Sequence, residues 1–284
     1  MKIKKIAITG STGGLGERIC NVLAKNGYDL VLVDRNPEKS RKNAERIKNK
    51  FPSVNIESVV CDLEKIESVK DAADKLKNIG IDALVLNAGI YNVPLRKCDS
   101  GYNNVFQVNF ISQYYLARKL AETAPPLKKV IAMSSVAHDF SKTDLKDVDF
   151  STRSSQAKIY GNSKRYLTFS LFELFERVLD VKLCVVHPGV TLTNMTNHYP
   201  KAINWLVKIG IKLFFPSPEK AIRCVKKALG EDCARLEWIG PSVFNVWGKP
   251  KKSVLKTATE EEIKTIASVA ETIYHNINDQ KTRL

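Results

Sequence analysis

The chain has 284 residues, 44% of them hydrophobic, and its 45 lysines and arginines against 30 acidic residues give a formal net charge of +15. The sequence contains no run of about 18 apolar residues, the length needed to span a membrane, and the first residues lack the apolar region of a signal peptide. We therefore expect a soluble, cytoplasmic protein. The basic residues alternate with acids along predicted helices, which argues against a nucleic-acid site, and the six cysteines lack metal-ligand spacing, which predicts free thiols and no metal.

The chain opens with a strand, a glycine turn, a helix and a second strand. An apolar strand pattern at residues 4–9 runs into residues 10–16 (Gly-Ser-Thr-Gly-Gly-Leu-Gly), and apolar residues at helical spacing then continue to a glycine stop at Asn26-Gly27. Glycines at such a turn let the backbone approach a pyrophosphate, whose charge the helix amino end favours. We therefore expect a dinucleotide here; a glycine-rich turn without a ligand is the alternative.

The acid that ends the second strand, Asp29–Asp34, bears on which dinucleotide binds. Asp34 lies 18 residues past Gly16 (34 − 16), near the spacing of an acid that accepts hydrogen bonds from the adenine ribose. It would repel a 2′-phosphate, which Arg35 beside it could instead bind. We favour NAD, with NADP possible through Arg35; either residue could also be an ordinary solvated turn charge.

Strands and helices continue to alternate as far as residue 133. Helical patterns cover residues 37–50, 66–76 and about 101–121, and strand patterns cover residues 54–60, 81–86 and 129–133. This order predicts an α/β fold with a doubly wound parallel sheet, helices on both faces and a single domain over residues 1–284. The turns after these strands hold Asp62, Asn87-Ala88-Gly89 and Ser134-Ser135, at the edge where open parallel sheets bind ligands.

A polar insertion and an apolar helix follow. We interpret residues 138–158 as an inserted surface loop and residues 160–179 as a helix that is apolar on most sides. Such a helix is either sandwiched or at a subunit interface, and from its apolar face we predict a homodimer or homotetramer. A strand pattern at residues 181–187 ends in Pro188-Gly189.

The remaining chain contains a candidate lid. Residues 202–215 are apolar with spaced lysines and too short to cross a bilayer, and we rank a substrate lid first, core second and membrane-surface contact third. The loop or lid would extend over about residues 190–217. A C-terminal helical extension at about 250–284 completes the domain. After the lid, the sequence predicts a helix at 218–229, an aromatic stretch at 238–247, a basic linker at 249–252 and a terminal helix at 260–275.

Tyr160 and Lys164 stand four residues apart at the start of the apolar helix. On one helix face the ammonium of Lys164 would favour the ionised form of Tyr160. A cation at ~4 Å in a partly screened site would lower an ordinary tyrosine pKa of ~10 by roughly 3 units. Tyr160 would then serve as an acid in a carbonyl reduction, with the Ser135 hydroxyl at the same oxygen. The Tyr-Lys spacing alone arises about once by chance in so lysine-rich a chain.

In their order along the chain, these motifs resemble the short-chain dehydrogenase/reductase superfamily over about residues 4–195. The 25-residue interval from Ser135 to Tyr160 (160 − 135) is similar to that of the retinol-dehydrogenase-like and WW-domain-oxidoreductase-like subgroup. The resemblance implies that Tyr160 donates the proton, Ser135 binds the substrate carbonyl, Lys164 holds the nicotinamide ribose and lowers the pKa of Tyr160, and Asn109 positions a relay water. It also implies cofactor contacts from Gly10, Ser11, Thr12, Gly14, Leu15, Gly16, Asp34, Arg35, Asp62, Leu63, Asn87, Ala88, Gly89, Tyr160, Lys164, Pro188, Gly189, Val190 and Thr193.

The activity implied is hydride transfer between nicotinamide and the carbon of a carbonyl or alcohol, on a small substrate that the 203–215 run indicates is apolar. The doubled Gly13-Gly14 also satisfies the G-x-x-G-x-x-G spacing of longer members of the superfamily. An NAD-using epimerase or dehydratase is therefore an alternative. Another is a catalytically idle NAD(P)-binding sensor or scaffold, against which the presence of Asn109, Ser135, Tyr160 and Lys164 argues.

Overall fold

One sheet runs through the computed structural model, which describes residues 3–123, 127–189 and 218–279. Its strands are β1 (Lys5–Thr9), β2 (Asp29–Asp34), β3 (Ile56–Val60), β4 (Ala83–Leu86), β5 (Lys129–Met133), β6 (Lys182–Val186), β7 (Glu237–Val243) and β8 (Trp247–Val254). They lie in the order β3-β2-β1-β4-β5-β6-β7-β8, and each neighbouring pair is parallel except β7 with β8.

Helices cover both faces of this sheet, because the buried strands present apolar side chains alternately to each side. In β5, Val130 and Ala132 join one core, and Ile131 and Met133 join the other. The helices are α1 (Gly14–Lys25), α2 (Pro37–Lys50), α3 (Ile66–Ile79), α4 (Asn104–Phe106), α5 (Ser112–Thr123), α6 (Gln156–Arg177), α7 (Pro218–Gly230) and α8 (Glu260–Asp279). The first core is completed by α3, α5, α6 and α8, and the second by α1, α2 and α7. The predicted doubly wound α/β fold is confirmed.

The apolar helix α6 is sandwiched within its own chain. It packs against α8 and against a π-helical turn, Gln107–Ile111, that joins α4 to α5. Its large apolar residues, such as Tyr166, Phe169 and Phe172, are buried there. The apolarity of this helix therefore follows from intrachain packing, and the homo-oligomer inferred from it stays a prediction.

Two parts of the second half differ from the sequence interpretation. Residues 138–158 are more than a surface loop, because a 3₁₀ helix, Val136–Asp139, opens the insertion and both His138 and Phe150 are buried. The basic linker predicted at residues 249–252 is wrong: these residues belong to β8, which pairs antiparallel with β7. Exposed lysines are common on an edge strand, since they discourage pairing with another chain, and this produced the linker-like pattern.

The predicted lid at 203–215, together with Val190 and Thr193, lies outside the described residues. None of the described helices combines the length and the apolar character that crossing a bilayer requires.

Candidate active site

The glycine turn between β1 and α1 depends on its first and last glycines for close packing. Gly10 has φ of +66°, a conformation that side chains disfavour, and a Cβ on Gly16 would lie 2.1 Å from the Gly10 carbonyl oxygen. The middle glycine is different, because the nearest atom to a Cβ on Gly14 is 3.8 Å away. Gly13 caps α1 without a side-chain hydrogen bond, so the first backbone N–H groups of the helix face the cavity beside it.

Thr9 and Asn87 tie the ends of β1 and β4 together. The Thr9 hydroxyl accepts hydrogen bonds from the backbone N–H groups of Asn87 and Ala88, both at 3.0 Å. The Asn87 amide in turn donates to the carbonyl oxygens of Thr9 and Gly10, also at 3.0 Å. The Asn-Ala-Gly turn is thereby fixed against the glycine turn at the carboxyl edge of the sheet.

Asp34 is buried at the end of β2, where its carboxylate binds its own chain. It accepts hydrogen bonds from the Ser11 hydroxyl, from the Thr12 backbone at 3.1 Å and hydroxyl at 3.2 Å, and from the Ser40 hydroxyl at 3.0 Å. These four donors match the four lone-pair sites of a carboxylate. Arg35 instead extends outward, with its side chain 68% exposed and 3.5 Å from Glu64.

Ser135 and Tyr160 meet across the cavity wall. Ser135 leaves β5 and caps the 3₁₀ helix by accepting a hydrogen bond from the Ala137 backbone at 3.2 Å. Its hydroxyl also lies beside the phenol of Tyr160, in the second turn of α6, and acts to lower the pKa of that phenol. Ser134 faces the other way and hydrogen-bonds Thr168 at 2.6 Å. Of the serine pair, the second therefore reaches the phenol.

The helix α6 approaches the 3₁₀ helix closely beside the phenol. A Cβ on Gly161 would lie 2.2 Å from the Ala137 carbonyl oxygen. Only a residue without a side chain fits at this position with the present spacing. The Tyr91 ring packs edge-on against Tyr160, with 5.2 Å between ring centroids, so the phenol is held between two neighbours.

Lys164 lies one turn further along α6 and is buried. Its ammonium donates to the Met133 carbonyl oxygen at 2.8 Å and lies 5.8 Å from the centroid of the Tyr160 ring. Burial lowers the pKa of Lys164 to about 8. Burial also raises the pKa of Tyr160 to about 12, with the Ser135 hydrogen bond opposing the rise and Tyr91 adding to it. The expected lowering of the Tyr160 pKa by Lys164 is not found: burial raises this pKa, and the Lys164 ammonium points at the Met133 carbonyl oxygen.

Asn109 sits in the π-helical turn and joins three elements behind the cavity. Its side-chain oxygen accepts from the Ile90 backbone N–H at 2.8 Å, and its amide donates to the Ile90 carbonyl at 2.9 Å and to the Ser163 hydroxyl at 3.1 Å. A Cβ on Gly89 would lie 3.2 Å from the Asn109 oxygen and 3.6 Å from the Lys164 nitrogen. Asn109, Gly89 and Lys164 thus converge, and Asn109 binds the residue next to each of the other two, Ile90 and Ser163.

These groups surround one cavity of about 700 Å³ at the carboxyl edge of the sheet. Ser11 and Asn109 do not line it, because both are buried behind it. The predicted residues that do line it are Gly10, Thr12, Gly14, Leu15, Gly16, Asp34, Arg35, Asp62, Leu63, Asn87, Ala88, Gly89, Ser135, Tyr160, Lys164, Pro188 and Gly189.

Sequence reasoning missed the apolar wall beside Tyr160, which is formed by Val93, Phe140 and Ala157 together with Tyr91. Tyr91 follows the Asn-Ala-Gly turn by two residues, and this short distance from a predicted cofactor motif could have indicated that it lines the cavity. Phe140 and Ala157 belong to the insertion before Tyr160, where no spacing rule applied. Lys39, in the first turn of α2, was also missed at the opposite end of the cavity.

The cavity suits an extended, anionic ligand. The amino end of α1, where Gly13 offers no side-chain cap, and the backbone at Gly14 can receive a pyrophosphate, while the phenol, hydroxyl and ammonium line the same cavity. A dinucleotide has both the charge and the length to occupy this space, so the residues present fit such a cofactor.

Comparisons with known proteins agree with this geometry. The family model described as short chain dehydrogenase matches residues 4–145. Human polyprenol dehydrogenase is 26% identical over 230 residues, which cover 75% of this chain and 68% of that protein. Short-chain dehydrogenase chry4 of Gibberella zeae is 31% identical over 196 residues (67% and 72%), and mouse retinol dehydrogenase 12 is 28% identical over 238 residues (81% and 74%).

Solved structures share the fold. The crystal structure of an uncharacterized protein from Mycobacterium paratuberculosis has a TM-score of 0.73 at 22% identity, covering 96% of this chain and 92% of that chain. A short-chain dehydrogenase/reductase from Burkholderia phymatum in complex with NAD has a TM-score of 0.62 at 19% identity (81% and 87%). One from Sphingobium yanoikuyae in complex with NADPH has a TM-score of 0.58 at 19% identity (80% and 85%).

Proposed function

The chain belongs to the short-chain dehydrogenase family, and we propose that it is an NAD(P)-dependent oxidoreductase that transfers a hydride between nicotinamide and the carbon of an apolar alcohol or carbonyl compound. The placement of Ser135 and Tyr160 carries this proposal, because a proton donor and a second hydroxyl lie on the wall of the cavity that the glycine turn also lines. The same oxygen of a substrate can meet both groups.

Each residue has a part in the chemistry that we propose. When bound, the nicotinamide supplies or accepts the hydride. Tyr160, whose pKa of about 12 keeps it protonated at neutral pH, donates its proton to the substrate oxygen, and Ser135 hydrogen-bonds that oxygen. Lys164 adds positive charge on the same helix. The raised pKa of Tyr160 means that the phenol keeps its proton at neutral pH until a substrate oxygen takes it.

The substrate class that we propose rests on the cavity wall. Around Tyr160 the lining is apolar or aromatic, from Ile90, Tyr91, Val93, Phe140 and Ala157. Such a wall offers apolar contacts and few polar groups to a substrate. Relatives named polyprenol dehydrogenase and retinol dehydrogenase carry the names of apolar alcohols. We therefore propose an apolar alcohol, or its aldehyde or ketone.

We propose NAD as the cofactor, with NADP as the alternative. A 2′-phosphate near the end of β2 would meet the charge of Asp34, and Arg35 is partly neutralised by Glu64. Because Asp34 already accepts four hydrogen bonds, a ribose hydroxyl could bind it only if the Ser11 or Ser40 hydroxyl turned away. We also keep as proposals a cytoplasmic location and a homodimer or homotetramer, for which light scattering is the test.

Replacing Tyr160 tests the proposed function. Tyr160→Phe should still bind NADH but reduce apolar aldehydes and ketones at least ~100-fold more slowly, since a positioned acid contributes about 10²–10⁴ in rate. Tyr102→Phe is the matched control, because Tyr102 lies outside the cavity lining. Full activity of Tyr160→Phe would refute the assigned role.

The same measurements separate the alternative functions. Cofactor binding by the wild-type protein without turnover of any carbonyl would favour the idle sensor. Substrate conversion with unchanged nicotinamide absorbance would favour an epimerase or dehydratase.

A further inference from the structure

A pair of cysteine thiols lies below the sheet edge that carries the cavity. Cys184 is buried in the middle of β6, and its sulfur lies 3.5 Å from the Glu231 carbonyl oxygen and 3.6 Å from that of Ala228. Both carbonyls belong to the end of α7 and the turn after it. Cys233 is two residues further along this turn and partly exposed, and the two thiols are close enough for each to shift the pKa of the other. They are 49 positions apart (233 − 184).

A buried ammonium accompanies the pair. Lys129 in β5 donates to the carbonyl oxygens of Ala228 at 3.1 Å, Leu229 at 3.0 Å and Glu231 at 2.7 Å. Two of these oxygens are also the neighbours of the Cys184 sulfur, so the charge and the sulfur share one small site. A cation beside a thiol favours the thiolate, which is the reactive form.

The proton affinities of the thiols separate this pair from the other cysteines. The Cys233 hydrogen bond lowers the pKa of Cys184 although burial opposes it, and the charge of Lys129 lowers it further. The pKa of Cys233 is raised, because its proton is held in the bond to Cys184. Burial raises the pKa values of Cys20, Cys61, Cys98 and Cys224, so among the cysteines with a shifted pKa only Cys184 is favoured as a thiolate.

We propose that Cys184 and Cys233 are a redox-active thiol pair that a peroxide oxidises to an intrachain disulfide. An oxygen of the peroxide first adds to one sulfur and the O–O bond breaks, which leaves a sulfenic acid and one water or alcohol. The second sulfur then displaces the hydroxyl group as water and forms the S–S bond. In total the pair loses two electrons and two protons, and the peroxide is reduced. Because the Cys184 sulfur packs against the turn that carries Cys233, small movements of the two side chains would bring the sulfurs to a bond of about 2.05 Å.

This site is separate from the proposed hydride chemistry, since neither cysteine lines the cavity. The disulfide would join β6 to the turn between α7 and β7. It would thus close a covalent loop that contains the residues between Cys184 and Cys233. Cys233 supplies the exposed entry point for the oxidant, and Cys184 supplies the more acidic thiol.

Peptide mapping of the full-length protein tests the proposal. Hydrogen peroxide is added in small molar excess, the remaining thiols are alkylated, and the digest is analysed by mass spectrometry. We expect a Cys184–Cys233 linked peptide, lighter by two hydrogens than its reduced parts, that dithiothreitol separates. Cys233→Ser should abolish it. Cys98→Ser is the matched control, because Cys98 is also partly exposed, and it should leave the link unchanged.

The rate of linking tests the part of Lys129. Linking should accelerate with pH, and Lys129→Gln should slow it several-fold at neutral pH. If that variant does not fold, the dependence of the wild-type rate on pH replaces it. Oxidation of Cys98 and Cys233 at equal rates without any Cys184–Cys233 link would overturn the proposal. So would accumulation of a sulfinic acid at Cys233 beside an unreacted Cys184.

Discussion

Burial moves the pKa values of Tyr160 and Lys164 in opposite directions, and in each case it favours the neutral form. The residue types and their spacing were readable from the sequence, as were Ser135 and the glycines around the cavity. The direction of the Tyr160 shift was not readable, because desolvation depends on elements far apart in the chain. Tyr91, Phe140 and Met133 all come from such elements, and the spacing within α6 says nothing about them.

The buried charge of Lys164 should make stability depend on pH. Its folded pKa of about 8 lies below the ordinary 10.5. Below pH ~8 Lys164 is protonated in both the folded and the unfolded state, and the folded state bears the full cost of burying its charge. Between pH ~8 and ~10.5 the unfolded state holds more protons. The free energy of unfolding therefore rises over this range, by about 3 kcal/mol. Urea unfolding at several pH values should show this rise in wild type and not in Lys164→Met. Parallel curves for the two proteins would contradict the assignment.

The glycine turn gives a second test, with its control in the same turn. A Cβ at residue 16 would collide with the Gly10 carbonyl oxygen, so Gly16→Ala should destabilise the fold by about 1–3 kcal/mol. Gly14→Ala would place its Cβ in ordinary contact with Arg18, 3.8 Å away, and should fold normally, yet it should weaken NADH binding if a phosphate lies against that position. Thermal unfolding and an NADH titration measure the two effects. Equal stability of both variants would show that the turn is looser than described.

Among the elements, α6 is joined to the C-terminal region by a buried ion pair. Arg165 is 2% exposed and binds Glu262 through two hydrogen bonds, at 2.8 and 2.6 Å. It also donates to the carbonyl oxygens of His138 at 3.1 Å and Thr257 at 2.8 Å. The 3₁₀ helix after Ser135 and the start of α8 are thus both held by one guanidinium on the helix that carries Tyr160. This link was not readable from the sequence, in which Arg165 is one of 45 basic residues.

Removing the acid of this pair should be costly. Glu262→Gln leaves a buried guanidinium without a counter-charge and should lower the free energy of unfolding by about 3 kcal/mol. Burial raises the pKa of Glu262, but bonds from Arg165 and Thr143 hold it below its ordinary value, so this contribution is lost as pH falls through the folded pKa. Glu45→Gln removes an exposed partner of Arg41 and should leave the free energy of unfolding nearly unchanged, because exposed ion pairs contribute little. Similar losses in both variants would refute the difference.

On the scale of the whole molecule, the cavity lies across the carboxyl ends of β1, β2, β4 and β5, beneath the amino end of α1 and beside α6. The alternation of strands and helices predicted this edge, because parallel strands bring their following turns together. The antiparallel β8 was missed, because lysines on an edge strand read as a linker. The packing of α6 inside one chain was left open by the sequence, since an apolar helix looks the same in a core and at an interface.

A ligand that spans this edge should stabilise the entire fold. NADH at 100 times its dissociation constant should raise the free energy of unfolding by about 2.7 kcal/mol. NADPH at the same concentration should raise it less if Asp34 repels the 2′-phosphate. Thermal shift titrations with both cofactors measure this, and Arg35→Ala should leave the NADH shift unchanged. A larger shift with NADPH that Arg35→Ala abolishes would instead assign NADP.

The contact at Gly161 limits how the substrate specificity could be re-engineered. The helix and the Ala137 carbonyl oxygen are spaced for a hydrogen atom at this position. A library that varied residue 161 would displace the phenol before it enlarged the pocket, so such variants would sacrifice turnover for volume. Residues 91, 93 and 157 line the same wall away from this contact, and directed evolution toward bulkier substrates should begin there.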